Sequence, residues 1–521
     1  MFGGTAWALQ GGTVDSLSAA YNKTSGKVDI SGTVSDLVKD VVIIEILKPN
    51  GTLLYFGTAN CEDGEFSVSV HAGSLSAGTY KVRSADYMGG EYASAEFTVT
   101  KSSNSTGGGP SGPTGDSQDT SAPVAVTTPD LLLVTTAVSG SADTSGIVSY
   151  VPAVSEISAA IAKLSAEMES AGKDTALIEI EGQAEGDILS ANMTLPGTLF
   201  DLLDDSPVSG LRISTPVAQL TFDKEALDTI GDTLDSDVTV YAGTADNSSL
   251  SEDARVIVGD RPVYQFLVSG GDEKITNFRG NVTVSVPYTL KPDEDPNAVV
   301  IYYIGSEGQP EIVSNCSYDF ETGKITFKVT HFSTYAVGYN KVTFNDVPAG
   351  ASYEEAVAFI AARGITSGTG GGKFEPDSKL TRGQLIVMVM RAYGIKPDTD
   401  FTSNFEDAGN DYYTGYLAAA KRLSISNGVG MNRFAPEKSI SRQEMYTLLY
   451  NTLKAMRQVP KAANENSILD YIDSEGVASW AVTAMEELIK VGVIEGSNGR
   501  LNPKTIATRK EMAHVLYELL K

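Results

Sequence analysis

Three short segments in the last third of the chain place a cation where a helix start does not favour one. Thr381-Arg382-Gly383-Gln384, Ser441-Arg442-Gln443-Glu444 and Thr508-Arg509-Lys510-Glu511 each have the form of a capping box. In such a box the hydroxyl accepts from an unpaired helix N–H, and the Gln or Glu three residues on reaches back to another. The positive end of the helix macrodipole lies just after the cap, where anions are welcome and cations mildly disfavoured. An arginine there in all three copies breaks a local rule and points to a use for the charge. The chemistry on offer is anion binding. A guanidinium fork takes a carboxylate bidentately, and helix-start N–H groups add to the attraction. The alternative is that each arginine pairs with a neighbouring acid and holds the structure together. The sequence leaves both readings open.

The boxes stand 60 and 67 residues apart, the spacing of an internal structural repeat. Before each comes an aromatic or apolar residue two positions ahead of a proline: Phe374-Glu375-Pro376, Phe434-Ala435-Pro436 and Leu501-Asn502-Pro503. Further upstream lie Phe344-Asn345-Asp346, Phe405-Glu406-Asp407 and Tyr471-Ile472-Asp473. Apolar residues at helical spacing, such as Ala356-Val357 and Phe359-Ile360, run up to a glycine. Thr366 to Gly372 is too glycine-rich for a helix and reads as loop. A second apolar stripe follows each box. Each unit is therefore expected to be helix, loop, helix, with three units packing together.

Residues 344 to 521, about a third of the chain, resemble the S-layer homology (SLH) repeats that tether bacterial surface proteins to the cell wall. The resemblance rests on the aromatic-x-Asp start, the Gly-Ile turn, the Phe-x-Pro step and the Thr-Arg-x-Glu box, in order and three times. It implies an all-α trimer of repeats with pseudo-threefold symmetry, whose grooves bind secondary cell-wall polysaccharide, often through a pyruvylated sugar. Carried over residue by residue, it implies polymer-binding roles for Arg382, Arg442 and Arg509, and for Asp346, Asp407 and Asp473. The family's tryptophan matches Trp480; Tyr412 occupies that place in repeat two and Ser352, beside Tyr353, in repeat one. Gln384 stands where an acid is usual, so one or two grooves are expected to be degenerate.

The whole chain carries 39 basic and 66 acidic residues, net −27. Residues 341–521 hold 21 of each, which leaves 18 basic and 45 acidic residues in 1–340. A neutral anchor can approach an anionic wall polymer, while an acidic remainder resists self-association. Nucleic acid is not expected as a partner, because phosphate binding needs a basic face. No run of 18 apolar residues exists, so no membrane span is expected. Cys61 and Cys316 fall in different expected domains and read as free thiols. With three histidines, His71, His331 and His514, and no His/Cys/carboxylate cluster at metal spacing, neither metal nor cofactor is expected.

Upstream, residues 1–11 contain Ala6-Trp7-Ala8, a small-x-small form read as the remnant of an export signal or a disordered start. Residues 12–100 are short β-branched or alternating segments broken by turns such as Asp63-Gly64, and read as a β-sandwich. The segment resembles the immunoglobulin-like spacer modules of bacterial surface proteins. Residues 101–123 form a Ser/Gly/Pro linker whose ends should lie about 25 Å apart. Residues 124–341 read as a mixed α+β, β-rich middle domain. It has a helix near Val154–Ala171, a short helix ending at Gly231, and a last strand running from Ile325 through Tyr339. It resembles a module often found just before SLH repeats. The repeats themselves are set at 342–400, 401–462 and 463–521.

In that last strand the alternation places His331 and Ser333 on the apolar face. His331-Phe332-Ser333 resembles the His-x-Ser/Thr tripeptide at which some autoproteolytic domains cut their own backbone, the hydroxyl attacking the preceding carbonyl with His as base. The plainer reading is a buried, hydrogen-bonded histidine, and an intact chain is expected. Three function classes follow. The leading one is a non-enzymatic, secreted S-layer or S-layer-associated protein, held non-covalently to secondary cell-wall polymer, displaying acidic β domains and open to self-association in a surface layer. The others are a wall-anchored adhesin or glycan-binding protein, and a self-cleaving or glycan-degrading surface protein. No fold signature of a two-carboxylate glycosidase is present.

Overall fold

A computed structural model describes residues 12–23, 27–37, 41–47, 49, 53–71, 75, 77–86, 93–100, 123–127, 131–171, 175–271, 273–305, 308–462 and 464–521. The expected export-signal remnant at 1–11 and nearly all of the expected linker at 101–123 lie outside these residues. The chain divides into two compact units, one spanning Met1–Ser117 and the other Gln118–Asp319 with Gly323–Lys521.

In the first unit, Thr13–Asn22, Lys27–Ser35 and Glu65–His71 form one antiparallel sheet, and Leu53–Asn60, Val41–Leu47, Gly78–Asp86 and Ala93–Val99 form another. Alternation decides which side chains point in: Val28 and Ile30 from the first sheet meet Ile44, Val82 and Phe97 from the second in one core. Asp63 and Gly64 turn the chain with φ of 51° and 77°, the double positive φ that a tight hairpin turn requires.

The second unit holds two eight-stranded sheets among the described residues. One runs in the order Ser317–Asp319, Lys324–His331, Asn277–Pro287, Gln219–Asp223, Gly210–Ser214, Ala176–Gln183, Leu132–Ser139, Val124–Thr127. The other runs Ile147–Tyr150, Ser190–Leu195, Val238–Ala245, Val263–Gly270, Thr334–Tyr339, Val299–Ile304, Pro310–Val313, with Glu273–Ile275 against Val263–Gly270. Helices α1 (Val154–Ala171), α2 (Thr198–Asp204), α3 (Lys224–Thr233) and α4 (Glu252–Val258) feed apolar residues into the same core.

Two local readings are corrected here. α3 does not stop at Gly231 but runs on to Thr233. The glycine makes room rather than a stop: a Cβ there would lie 3.2 Å from Phe200 Cβ. Nor is the last strand continuous. Lys324–His331 belongs to one sheet and Thr334–Tyr339 to the other, so the chain crosses between sheets at Phe332-Ser333. Phe332, 4% exposed, explains the break. Its ring fills an aromatic cluster with Phe222, Phe266 and Phe278, which a strand in regular phase could not reach.

Three helix pairs follow: α5 (Glu354–Ala362) with α6 (Arg382–Ala392), α7 (Thr414–Arg422) with α8 (Arg442–Ala455), and α9 (Val482–Lys490) with α10 (Arg509–Leu520). One pair alone buries little, and the three share a single apolar core that includes Ile360, Leu385, Leu417, Leu449, Leu488 and Leu516. The join to the sheets is also buried. Ala362 sits in the core of the preceding sheets. Arg363, 2% exposed, donates Nε to the Cys316 carbonyl (2.6 Å), Nη1 to the carbonyls of Asn297 (2.8 Å) and Phe359 (3.1 Å), and Nη2 to that of Val299 (3.2 Å). Cys61 and Cys316 are both buried. No helix among the described residues is long and apolar enough to cross a membrane.

Candidate functional site: the grooves between repeats

All three capping boxes form as their residue types require. Thr381, Ser441 and Thr508 sit in extended conformation at the cap, and the side chains of Gln384, Glu444 and Glu511 reach back to their N–H groups. The residues just before the boxes close a ring. Leu380 N–H donates to the Ala507 carbonyl, Ala507 N–H to that of Ile440, and Ile440 N–H to that of Leu380, each at 2.9 Å.

The next helix donors are used in the same cyclic way. Arg382 N–H donates to the Lys438 carbonyl and Gly383 N–H to that of Pro436; Arg442 and Gln443 donate to Thr505 and Pro503; Arg509 and Lys510 donate to Ser378 and Pro376. The expectation that helix-start N–H groups add to anion binding is therefore corrected. The first two donors of each second helix are spent on carbonyls of the next repeat, and in α6 and α10 the third goes to the cap hydroxyl.

The arginine side chains cross the same boundaries. Arg382 Nε donates to the Phe434 carbonyl (2.8 Å), Arg442 Nε to that of Leu501 (3.0 Å) and Arg509 Nε to that of Phe374 (2.7 Å). Arg382 and Arg509 also lie over the Phe434 and Phe374 rings, 4.6 and 4.7 Å from the centroids. Both are 4% exposed. Burial pushes both guanidinium pKa values down; Glu444 and Asp407 oppose this at Arg382, and Glu375 and Asp346 at Arg509.

The three start aspartates grip those same peptides from the other side. Asp346 accepts from the N–H groups of Phe374 and Glu375, Asp407 from those of Phe434 and Ala435, and Asp473 from those of Leu501 and Asn502, all at 2.7–2.9 Å. Glu375, Ala435 and Asn502 have φ of 58°, 57° and 50°, a left-handed conformation that costs a non-glycine residue about 1–2 kcal/mol. The double hydrogen bond to each aspartate offsets that cost. The N–H bonds from Phe374 and Glu375 hold the Asp346 carboxyl below the usual carboxylate range. At Asp407 and Asp473 burial works the other way, and the paired backbone N–H groups outweigh it.

Each aspartate thus fixes a loop within its own repeat, and each arginine reaches into the following one. The pairing differs from what sequence proximity suggests. Arg509 and Trp480 share repeat three, yet Arg509 faces the loop of repeat one. The box of repeat two meets the segment that carries Trp480, since Ala478 N–H donates to Gln443 Oε1 at 2.9 Å. Trp480 and Tyr412, each 55% exposed, leave aromatic surface in the solvent. A groove of about 660 Å³ includes Asp407, which the resemblance had pointed to, and Tyr413, Met431 and Glu437, which sequence reasoning missed. Tyr413 OH donates to Glu437 Oε1 there at 2.7 Å, and Met431 is 92% exposed. A solvent-facing methionine in a glycine-bearing loop was the available signal.

The tripeptide elsewhere is held firmly. Phe332 N–H donates to the Thr276 carbonyl (2.9 Å), Phe266 N–H to the Ser333 carbonyl (3.2 Å) and Tyr335 OH to the His331 carbonyl (2.7 Å). Burial pushes the His331 pKa down, against a smaller opposing effect of Glu311.

Comparison with known proteins agrees with the repeat geometry. The S-layer homology domain family matches residues 343–386, 404–445 and 471–513. An amylopullulanase of Thermoanaerobacterium thermosulfurigenes is 29% identical over 331 residues, 62% of this chain and 17% of that protein. The exoglucanase XynX of Acetivibrio thermocellus is 30% identical over 34% of this chain and 16% of that one, and the S-layer protein sap of Bacillus anthracis 28% over 33% and 21%. The chain spans about a fifth or less of the length of these relatives. It carries three S-layer homology domains and is a protein of the cell surface. Its fold around them is β-rich.

Proposed function

We propose that residues 342–521 anchor the chain non-covalently to secondary cell-wall polysaccharide, through pseudo-threefold grooves between consecutive repeats, and that the rest of the chain is a non-enzymatic display. The observation that carries this reading is the cyclic arrangement of Arg382, Arg442 and Arg509 at the boundaries between repeats, beside half-exposed aromatics suited to sugar faces. A neutral anchor joined to an acidic remainder fits attachment to an anionic wall. Residues 12–100 act as an immunoglobulin-like spacer, and residues 124–341 as a rigid platform for the repeats. The alignment with the amylopullulanase is longer than the three repeats, so it extends into that platform. This favours a shared presentation module over an activity of its own, and it keeps a second reading open, in which the platform or spacer holds a glycan. Sedimentation of the full chain with purified walls tests the anchor. Binding should be lost when the secondary polymer is extracted, and unchanged binding would sink it.

A further inference from the structure

Met431 breaks two rules at once. It stands almost wholly in solvent, and its φ of 50° lies in the left-handed region that favours glycine and asparagine. The fold does not ask for a methionine there. Three residues ahead of the apolar residue of the Phe-x-Pro step, repeat one has Gly371 (φ 59°) and repeat three has Asn498 (φ 50°). Those are the two residue types that hold this conformation at least cost. Val429, two residues earlier on the same tip, is also exposed. Repeat two therefore carries an apolar knob on a loop whose counterparts are polar or bare. Backbone strain spent on an exposed apolar side chain points to something that covers it.

A second apolar spot belongs to repeat three alone. Ile472, 71% exposed, is the middle residue of Tyr471-Ile472-Asp473, where repeats one and two have Asn345 and Glu406. Its N–H donates to the Gly499 carbonyl at 3.0 Å, which holds it at the surface beside the loop tip of its own repeat. Leu469, 80% exposed, precedes it by three residues, and repeat two has Ser403 at that place. The two spots are opposite in charge. Residues 401–462 hold 8 basic and 5 acidic residues, net +3, and residues 463–521 hold 6 and 9, net −3. On the rim that carries Met431, Arg433 and Lys438 reach Asp407 and Glu444 only at 3.5 and 3.6 Å and stay largely exposed, while Glu437 accepts from Tyr413. Beside Leu469 and Ile472 stand the exposed carboxylates of Asp470 and Glu475.

We propose that these spots are the two halves of one contact between copies of this chain: the Val429 and Met431 knob of one copy seats against Leu469 and Ile472 of the next. Charge complementarity selects this occupant. A chain of net −27 repels its copies over most of its surface, and here its basic repeat meets its acidic one. The halves lie on different repeats, so the contact is heterologous. Each bound copy keeps a free knob or a free seat, and association runs on into rows or rings instead of ending in a symmetric pair. So small a contact is weak in dilute solution and gains strength where copies are held close together. It uses neither the box arginines nor the start aspartates, and it does not depend on what the grooves bind.

The test is mixed cross-linking of the full chain, whose own two cysteines are buried. Met431→Cys mixed with Ile472→Cys under mild oxidation should give the 431–472 disulfide about tenfold faster than either variant couples with itself. It should also outpace Thr369→Cys, on the tip of repeat one, mixed with Ile472→Cys. A chain carrying both Met431→Cys and Ile472→Cys should give a ladder of multimers. In sedimentation at millimolar concentration the mean mass of the parent should rise above that of the monomer. Met431→Gly and Ile472→Asn, which install the residues of repeat one, should each hold it at the monomer without lowering the melting temperature. Mixed coupling no faster than the Thr369→Cys control, self-coupling of Met431→Cys as fast as the mixture, a monomeric parent, or unchanged association in Met431→Gly would each overturn the proposal.

Discussion

Arg509 Nε donates to the carbonyl of Phe374 at 2.7 Å across 135 residues of chain, and this bond closes repeat three onto repeat one. The Phe374 N–H is meanwhile held by Asp346, so one peptide is pinned from both sides by two repeats. The same clamp recurs at Phe434 and Leu501. The repeats are thus joined in a closed ring rather than strung in an open row.

Removing one ring arginine should therefore cost stability as well as ligand contact. Arg442→Ala leaves Glu511 and the Leu501 carbonyl without their partner, and because the pair is only partly buried the loss should be about 1–2 kcal/mol. Thermal unfolding followed by circular dichroism should show a clear drop. An unchanged melting temperature would show that the ring does not depend on Arg442.

Acid should loosen the same clamps. Backbone N–H donors hold the carboxyls of Asp346, Asp407 and Asp473 below their ordinary values, burial opposing at the last two. Burial likewise opposes at Glu444, where Ser441, Lys438 and Arg382 hold the value down. Groups with depressed folded values contribute stability that is fully present above the unfolded value of about 4 and is lost as pH falls through the folded values. Melting of the repeats should be flat between pH 7 and 5 and fall below about pH 4. Asp473→Asn should melt lower at neutral pH and lose less on acidification; an equal loss would remove Asp473 from the explanation.

Much of this was legible in the sequence, and what was not has a physical reason. The boxes at Thr381, Ser441 and Thr508 are local, so residue types three apart were enough to place three helix starts. The partner of each arginine lies in another repeat, and no local pattern says that Arg509 meets Phe374 rather than the loop of its own repeat. Alternation carried the reading through Phe332, because it records which residues are apolar and not which sheet they enter. Gly231 was read as a stop, although close packing against Phe200 was the operative constraint.

The join at Arg363 was also invisible, since a lone arginine before a glycine has no pattern. Its guanidinium satisfies four carbonyls, one on α5 and three in the sheet region before it. Arg363→Met should remove the guanidinium donors from the Cys316, Asn297 and Val299 carbonyls, while the backbone N–H of residue 363 still serves that of Phe359, and destabilise the chain by about 3 kcal/mol. A fragment starting at residue 341 should melt below one starting at 124. Equal melting of the two fragments would show that the repeats do not depend on the join.

Phe332-Ser333 should stay intact. The Ser333 carbonyl and the Phe332 N–H are hydrogen-bonded and the Phe332 ring is packed in its cluster, so the peptide between them is held in place and not free to distort toward attack by the hydroxyl. Mass spectrometry after long incubation should give one full-length species. Fragments starting at Ser333, absent from Ser333→Ala, would make this region self-processing.

The central claim is that the grooves between repeats recognise an anionic wall polymer. Its most direct test is calorimetric titration of the full chain with solubilised secondary polymer, before and after chemical removal of acidic substituents such as pyruvate ketals. The account predicts saturable binding to the native polymer, lost on removal of those groups and lost in a chain truncated before residue 342. Equal binding to the stripped polymer, or binding retained by the truncated chain, would contradict it.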